Sequence, residues 1–167
     1  MDQHKTDRIS VSTQLVRFLF AMQTSKNTGL MTSYQTVSLT KGKTDTFSSY
    51  FKTLNSAAAQ LRVVYKDSAG SDVTLDSETK TNTSAWDRIS ASFTLPSDST
   101  SSSVTVRLMA ANGTGSVWFD CAQLEEGAVA NRYNMLINGD FTLNSGAHPT
   151  GWSKNSSNDS GDIVYLR

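Results

Sequence analysis

Residues 113–127, GTGSVWFDCAQLEEG, constrain the fold more than any other stretch of the chain. From 116 to 124 the side chains alternate, with Val117, Phe119, Cys121 and Gln123 on one side and Trp118, Asp120, Ala122 and Leu124 on the other. Period-two alternation dense in Val, Trp and Phe, opened by a Gly-Thr-Gly turn, predicts a β-strand. Val117, Phe119 and Cys121 are expected to face a core, the cysteine as a small buried apolar residue. Trp118 and Asp120 then share the opposite face, and Leu124 joins them unless a bulge near Gln123 returns it inward.

The same alternation recurs upstream. Strands are predicted over residues 10–22, 31–39, 44–53, 60–66, 85–95 and 104–108, with a short edge strand at 73–75. In the second of these, Tyr34 is opposite in parity to Gln35 and Val37. In the third, Phe47, Ser49 and Phe51 share one face, and Ser48, Tyr50 and Lys52 the other. Further on, Leu61, Val63 and Tyr65 oppose Arg62, Val64 and Lys66, while Ile89, Ala91, Phe93 and Leu95 point inward against Arg88, Ser90 and Ser92. Val104, Val106 and Leu108 oppose Thr105, Arg107 and Met109. Thr40-Lys41-Gly42-Lys43 and Asp67-Ser68-Ala69-Gly70 are turn signals, and Pro96 ends its strand because it has no amide hydrogen for the ladder. About eight short strands with turns between them, and no convincing helix, predict an all-β sandwich or jelly roll.

Composition narrows the function classes. The chain has 15 Lys+Arg against 15 Asp+Glu, a formal net charge of zero, which supplies no electrostatic footprint for nucleic acid or an anionic membrane. A single cysteine excludes an internal disulfide framework and a cysteine-based zinc site. The greasiest run, residues 15–22, is short and contains Arg17, so no membrane-spanning helix is predicted. The N-terminus MDQHKTDR lacks the layout of a signal peptide; a secreted protein would carry its signal elsewhere, and the chain reads as an excised fragment.

Three phrases, Y-Q-T-V-x-L-x-K-G-K-x-x-T-F-S-x-Y-x-K-T, W-x-R-I-S-x-S-F-T-L-P and V-W-F-D-x-x-Q-L-E-x-G, occur in an order that resembles jelly-roll, galactose-binding-like β-sandwich modules related to carbohydrate-binding modules. Such modules are strung along bacterial surface proteins, including those of the Rhs type with tyrosine–aspartate repeats, and along phage tail proteins. The resemblance covers roughly residues 34–134. It implies a non-catalytic, extracellular or cell-surface module in a tandem array, with glycan as partner. Further on, NMLINGDF (residues 134–141), followed by Pro149, Gly151 and Trp152, resembles the way such modules begin. The expected organisation is therefore a sandwich over residues 1–133, with residues 134–167 as the opening of a following repeat or as a strand-donating tail. Met135, Leu136, Ile137, Phe141 and Leu143 are the apolar cluster available to cover an edge left by a missing first strand. On that basis Asn134 to Leu143 is expected to add as a strand, either to its own sandwich or to that of a neighbouring molecule in a swapped assembly.

Catalysis has little support in the residues. His4 and His148 sit in no motif, the serines lie in polar runs without a nucleophile elbow, and adjacent Glu125 and Glu126 diverge on a strand end. Sugar binding needs aromatic faces for stacking and planar polar side chains for hydroxyls. Tyr50, Arg62, Arg107 and Trp118, all on the non-core parity of separate strands, are the candidate ligand-binding set on one open sheet face. Trp86 is expected to plug an edge. The resemblance also implies a structural calcium, for which Asp120 and Asp140 are the candidate ligands, although Thr142 stands where the opening segment would carry a glutamate. The alternative to glycan recognition is a structural spacer or adhesin repeat with no small-molecule ligand.

Overall fold

The computed structural model describes residues 19–24, 31–111, 114–128, 134–145, 148–154 and 163–166. Its strands are β1 (Leu19–Thr24), β2 (Met31–Ser38), β3 (Thr44–Asn55), β4 (Ala58–Lys66), β5 (Asp72–Asp76), β6 (Asp87–Thr94), β7 (Ser103–Ala111), β8 (Gly115–Glu126), β9 (Asn144–Ser145), β10 (His148–Pro149), β11 (Ser153–Lys154) and β12 (Ile163–Leu166). They form two five-stranded sheets, the first in the order β12-β1-β8-β3-β6 and the second β11-β2-β7-β4-β5, with β9 and β10 as a separate hairpin. Every pairing is antiparallel. Among the described residues there is no helix. The chain passes repeatedly from one sheet to the other, and the result is a jelly-roll β-sandwich. Of the strand expected over residues 10–22, the part before Leu19 lies outside the described residues.

Alternation decides the core. Phe47, Phe51, Ile89, Ala91, Phe93, Val117, Phe119 and Leu124 from the first sheet meet Ala59, Leu61, Val63, Val104, Val106, Leu108 and Ala110 from the second, all buried in one cluster. Apart from Leu124, these are the inward parities of the sequence, and the alternate residues point to the outer faces. Tyr65 stacks on Phe93 across the sandwich, with ring centroids 6.3 Å apart.

The bulge near Gln123 is present, and it reassigns a residue. Ser48 pairs with Gln123 and Tyr50 with Asp120, so Ser49 alone stands opposite both Cys121 and Ala122. Cys121 takes a left-handed backbone (φ 48°) that turns its neighbour inward. Ala122 and Leu124 are therefore fully buried, while Cys121 is only half-buried and not the core residue that simple alternation predicts.

The tail docks differently from the expected strand. Residues 136–140 form turns, and Asn138 and Phe141 adopt left-handed φ values of 52° and 57°. What the segment supplies is a set of hydrogen bonds to the backbone of β8 just beyond the point where β1 stops pairing with it. The Ala122 amide donates to the Gly139 carbonyl (2.7 Å) and the Met135 amide to the Leu124 carbonyl (2.8 Å). The side-chain amide of Asn134 donates to the Ala122 carbonyl (2.8 Å) and accepts from the Leu124 amide (3.1 Å). The backbone groups of Ala122 and Leu124, which face the edge where β1 no longer pairs, are thus satisfied by turns and by one asparagine. From the other sheet, Gln35 grips the same segment: its side chain donates to the carbonyls of Ile137 and Gly151 and accepts from the Ile137 amide. Leu136, Phe141 and Trp152 enter the core, with the Phe141 and Trp152 rings 5.4 Å apart. Strand addition comes later in the chain, where β11 pairs with β2 and β12 with β1.

Candidate functional site

The four residues expected to share a face are divided between two. Tyr50 on β3 and Trp118 on β8 belong to the first sheet; Arg62 on β4 and Arg107 on β7 belong to the second. All four are half-buried and point outward, so they lie in pairs on opposite sides of the sandwich. Period-two parity shows which side of a strand faces out. It carries no information about which sheet the strand joins.

On the first sheet the outer face is a closed polar network. The Arg88 guanidinium lies over the ring of its cross-strand neighbour Tyr50, 5.3 Å from the centroid, and donates to Ser48 Oγ and to Gln123 Oε1. Thr46 and Ser92 exchange a hydroxyl hydrogen bond at 2.9 Å. Ser48, Asp120 and Glu125 in this layer are essentially inaccessible to solvent, at 0%, 1% and 1% exposure. Trp118 stands opposite Lys52 on β3, next to this network.

On the second sheet the outer face carries a row of aromatic and polar side chains across five strands. Cross-strand pairing places Ser153, Tyr34, Arg107, Arg62 and Asp76 side by side, on β11, β2, β7, β4 and β5 respectively. The Arg107 guanidinium lies 5.7 Å from the Tyr34 ring centroid, a cation–π contact. Arg62 meets Asp76 in a two-pronged ion pair, Nε to Oδ1 at 2.6 Å and Nη2 to Oδ2 at 2.7 Å. That hydrogen-bonded pairing lowers the Asp76 carboxyl below its ordinary range and raises Arg62. The next row outward is neutral: Thr36 and Thr105 share a hydroxyl hydrogen bond at 3.0 Å, beside Val64 and Thr74. Tyr34 was not among the residues selected from sequence. Its parity opposite Val37, a residue packed against the core, was the signal that marked it as outward-facing.

The two carboxylates considered for calcium belong to separate arrangements. Asp120 Oδ1 accepts from the Cys121 thiol, whereas Asp140 Oδ1 accepts from the amide and hydroxyl of Thr142. Among the described residues no group of three or more His, Cys, Asp and Glu side chains is placed to hold a metal ion. Trp86 is half-buried immediately before β6.

No protein-family model matches the chain, and no curated protein sequence matches it. Among solved structures it is similar to a family 16 carbohydrate-binding module, at 21% identity and a TM-score of 0.51, over 64% of this chain and 74% of that one. It is also similar to part of the enzymatically active domain of tailspike protein 4 of bacteriophage CBA120, at 10% identity and a TM-score of 0.52. The match covers 65% of this chain but only 15% of the tailspike structure. At these identities the likeness is one of fold: the sandwich is that of carbohydrate-binding modules.

Proposed function

We propose that this chain is a non-catalytic carbohydrate-binding-type module of a secreted or cell-surface protein, and that it recognises glycan on the outer face of the second sheet. The observation that carries the reading is the row Tyr34–Arg107–Arg62–Asp76, an aromatic ring followed by planar polar groups on adjacent strands. A pyranose offers a C–H face to such a ring and hydroxyls to such groups. Rigid strands hold the row in place before a ligand arrives, which lowers the cost of binding. A shallow face buries few ligand atoms, so affinity per module is weak, and tandem copies supply strength.

The acidic groups on this face argue for binding rather than hydrolysis. Glycoside cleavage uses two carboxyl groups converging on one bond. Here Asp76 is held by Arg62 and Asp72 by Lys66, the latter at 2.9 Å. The test is retention on immobilised polysaccharides: the folded protein is retarded by at least one polymer, and Tyr34→Ala abolishes the retardation. Release of new reducing ends from the polymer would overturn the non-catalytic part.

A second reading, a structural spacer or adhesin repeat without a small ligand, is favoured by residues 134–154. This segment caps β8 through a few hydrogen bonds and three core side chains. The same contacts between two copies would give the exchanged assembly, with Asn134 to Leu143 of one capping the other. Sedimentation over a range of concentrations separates the two: a concentration-dependent dimer that truncation at residue 133 removes supports exchange, and a monomer throughout rejects it.

A further inference from the structure

We infer that the sugar taken by this face carries an acidic group, and that Arg107 is the residue that meets it; this rests on the reading of the second sheet's outer face as the glycan site. The argument begins with like charges. Arg107 and Arg62 are direct cross-strand partners on β7 and β4, an arrangement that costs stability unless an anion offsets it. One carboxylate does so for Arg62, since Asp76 on β5 binds it with both oxygens. Lys66 is likewise matched by Asp72. Arg107 has no such partner among the described residues: its contact is the Tyr34 ring, and its Nε is buried without a hydrogen-bond acceptor.

The surroundings of Arg107 are otherwise neutral. Along its own strand the flanking residues of the same parity are Thr105 and the buried Met109; across from Thr105 stand Thr36 and Val64, and across from Met109 stand Gln60 and the buried Thr32. A guanidinium fork seated on an aromatic ring, next to a second guanidinium and amid uncharged groups, is a receptor for an oxyanion that presents two oxygens to the fork. The Tyr34 ring lies beside the guanidinium, and the tyrosine and threonine hydroxyls are on the same face for the rest of the sugar. A uronic-acid carboxylate and a sulfate or phosphate ester share this chemistry. A neutral sugar would leave the charge of Arg107 uncompensated on binding, at the cost of desolvating it.

Calorimetric titration with polygalacturonate, a sulfated galactan and neutral xylan tests the inference, each at low and at physiological salt. The acidic polymers are expected to bind about tenfold more tightly than xylan, with affinity falling as salt rises. Preference for polygalacturonate assigns a carboxylate, and preference for the galactan a sulfate. Arg107→Gln should reduce acidic-polymer binding to the level of xylan, and Arg107→Lys should retain the salt dependence with an intermediate loss. Circular dichroism and melting confirm that both variants are folded. If xylan binds as tightly as the acidic polymers and Arg107→Gln affects all three equally, the acidic ligand is wrong while the face stands. If no polymer binds, or binding survives Tyr34→Ala unchanged, the site itself is wrong.

Discussion

Arg107 lies over the ring of Tyr34, 5.7 Å from its centroid, because β7 pairs with β2 in a register that sets the two residues directly opposite each other. The same register sets Arg62 on the far side of Arg107. Neither contact follows from alternation along a single strand. Both depend on β2, β7 and β4 being neighbours, a property of the jelly-roll path, and that path delivers an aromatic and two guanidiniums to one face.

The docked tail makes the strongest stability prediction. Trp152 is 5% exposed, packs on Phe141 and donates its indole N–H to the Asn138 carbonyl at 3.2 Å. Trp152→Ala should lower stability by about 3–5 kcal/mol, the range for deleting a buried aromatic. Thermal or denaturant unfolding measures this directly, and truncation at residue 133 should cost at least as much, since it also uncovers the backbone groups of Ala122 and Leu124. An unchanged melting temperature in either variant would mean that the tail does not belong to this fold.

Gly139 gives an independent check on the same docking. A β-carbon there would sit 2.1 Å from the carbonyl oxygen of Ala122, a backbone atom that cannot swing aside. Gly139→Ala should destabilise by about 1–3 kcal/mol through overpacking.

Asp45 should make stability fall as pH rises. It is 2% exposed, its Oδ2 has no hydrogen-bond partner, and burial, with the negative charge of Glu126 opposite it, raises its pKa above the ordinary 3.8. A pKa higher in the folded than in the unfolded state means the favourable contribution is complete below the unfolded value and disappears as pH climbs through the folded one. Asp45→Asn should therefore be more stable than the parent at neutral pH, and the difference should shrink on acidification through that window. Asp76 behaves with the opposite sign. Its carboxyl is lowered by the hydrogen bonds from Arg62, so its contribution is present above the ordinary carboxylate range and is lost as pH falls through its depressed value. Partly exposed as it is, Asp76→Asn should cost no more than about 1 kcal/mol.

The fate of individual residues shows what the sequence could carry. Val117, Phe119, Val104, Val106 and Leu108 are core because alternation is a local property, set by the pleat of each strand. Cys121 escaped that rule because a bulge changes the parity of everything after it, and the sequence marks no exact position for one. Tyr50, Trp118, Arg62 and Arg107 stand on the non-core parity of their strands. Their division between opposite faces depends on non-local strand pairing, to which single-strand periodicity is blind. The resemblance to module openings draws attention to residues 134–141, but the turns there rest on left-handed Asn138 and Phe141, a conformation that apolar patterning does not reveal.

The central claim is that glycan is recognised by the second sheet through Tyr34, and not by the first through Trp118. Affinity electrophoresis of the parent, Tyr34→Ala and Trp118→Ala in gels containing acidic polysaccharide compares the two faces in one measurement. The predicted result is a retarded parent, an equally retarded Trp118→Ala, and a Tyr34→Ala that migrates as in a polysaccharide-free gel. Retardation lost in Trp118→Ala and kept in Tyr34→Ala would contradict the assignment and move the site to the opposite side of the sandwich.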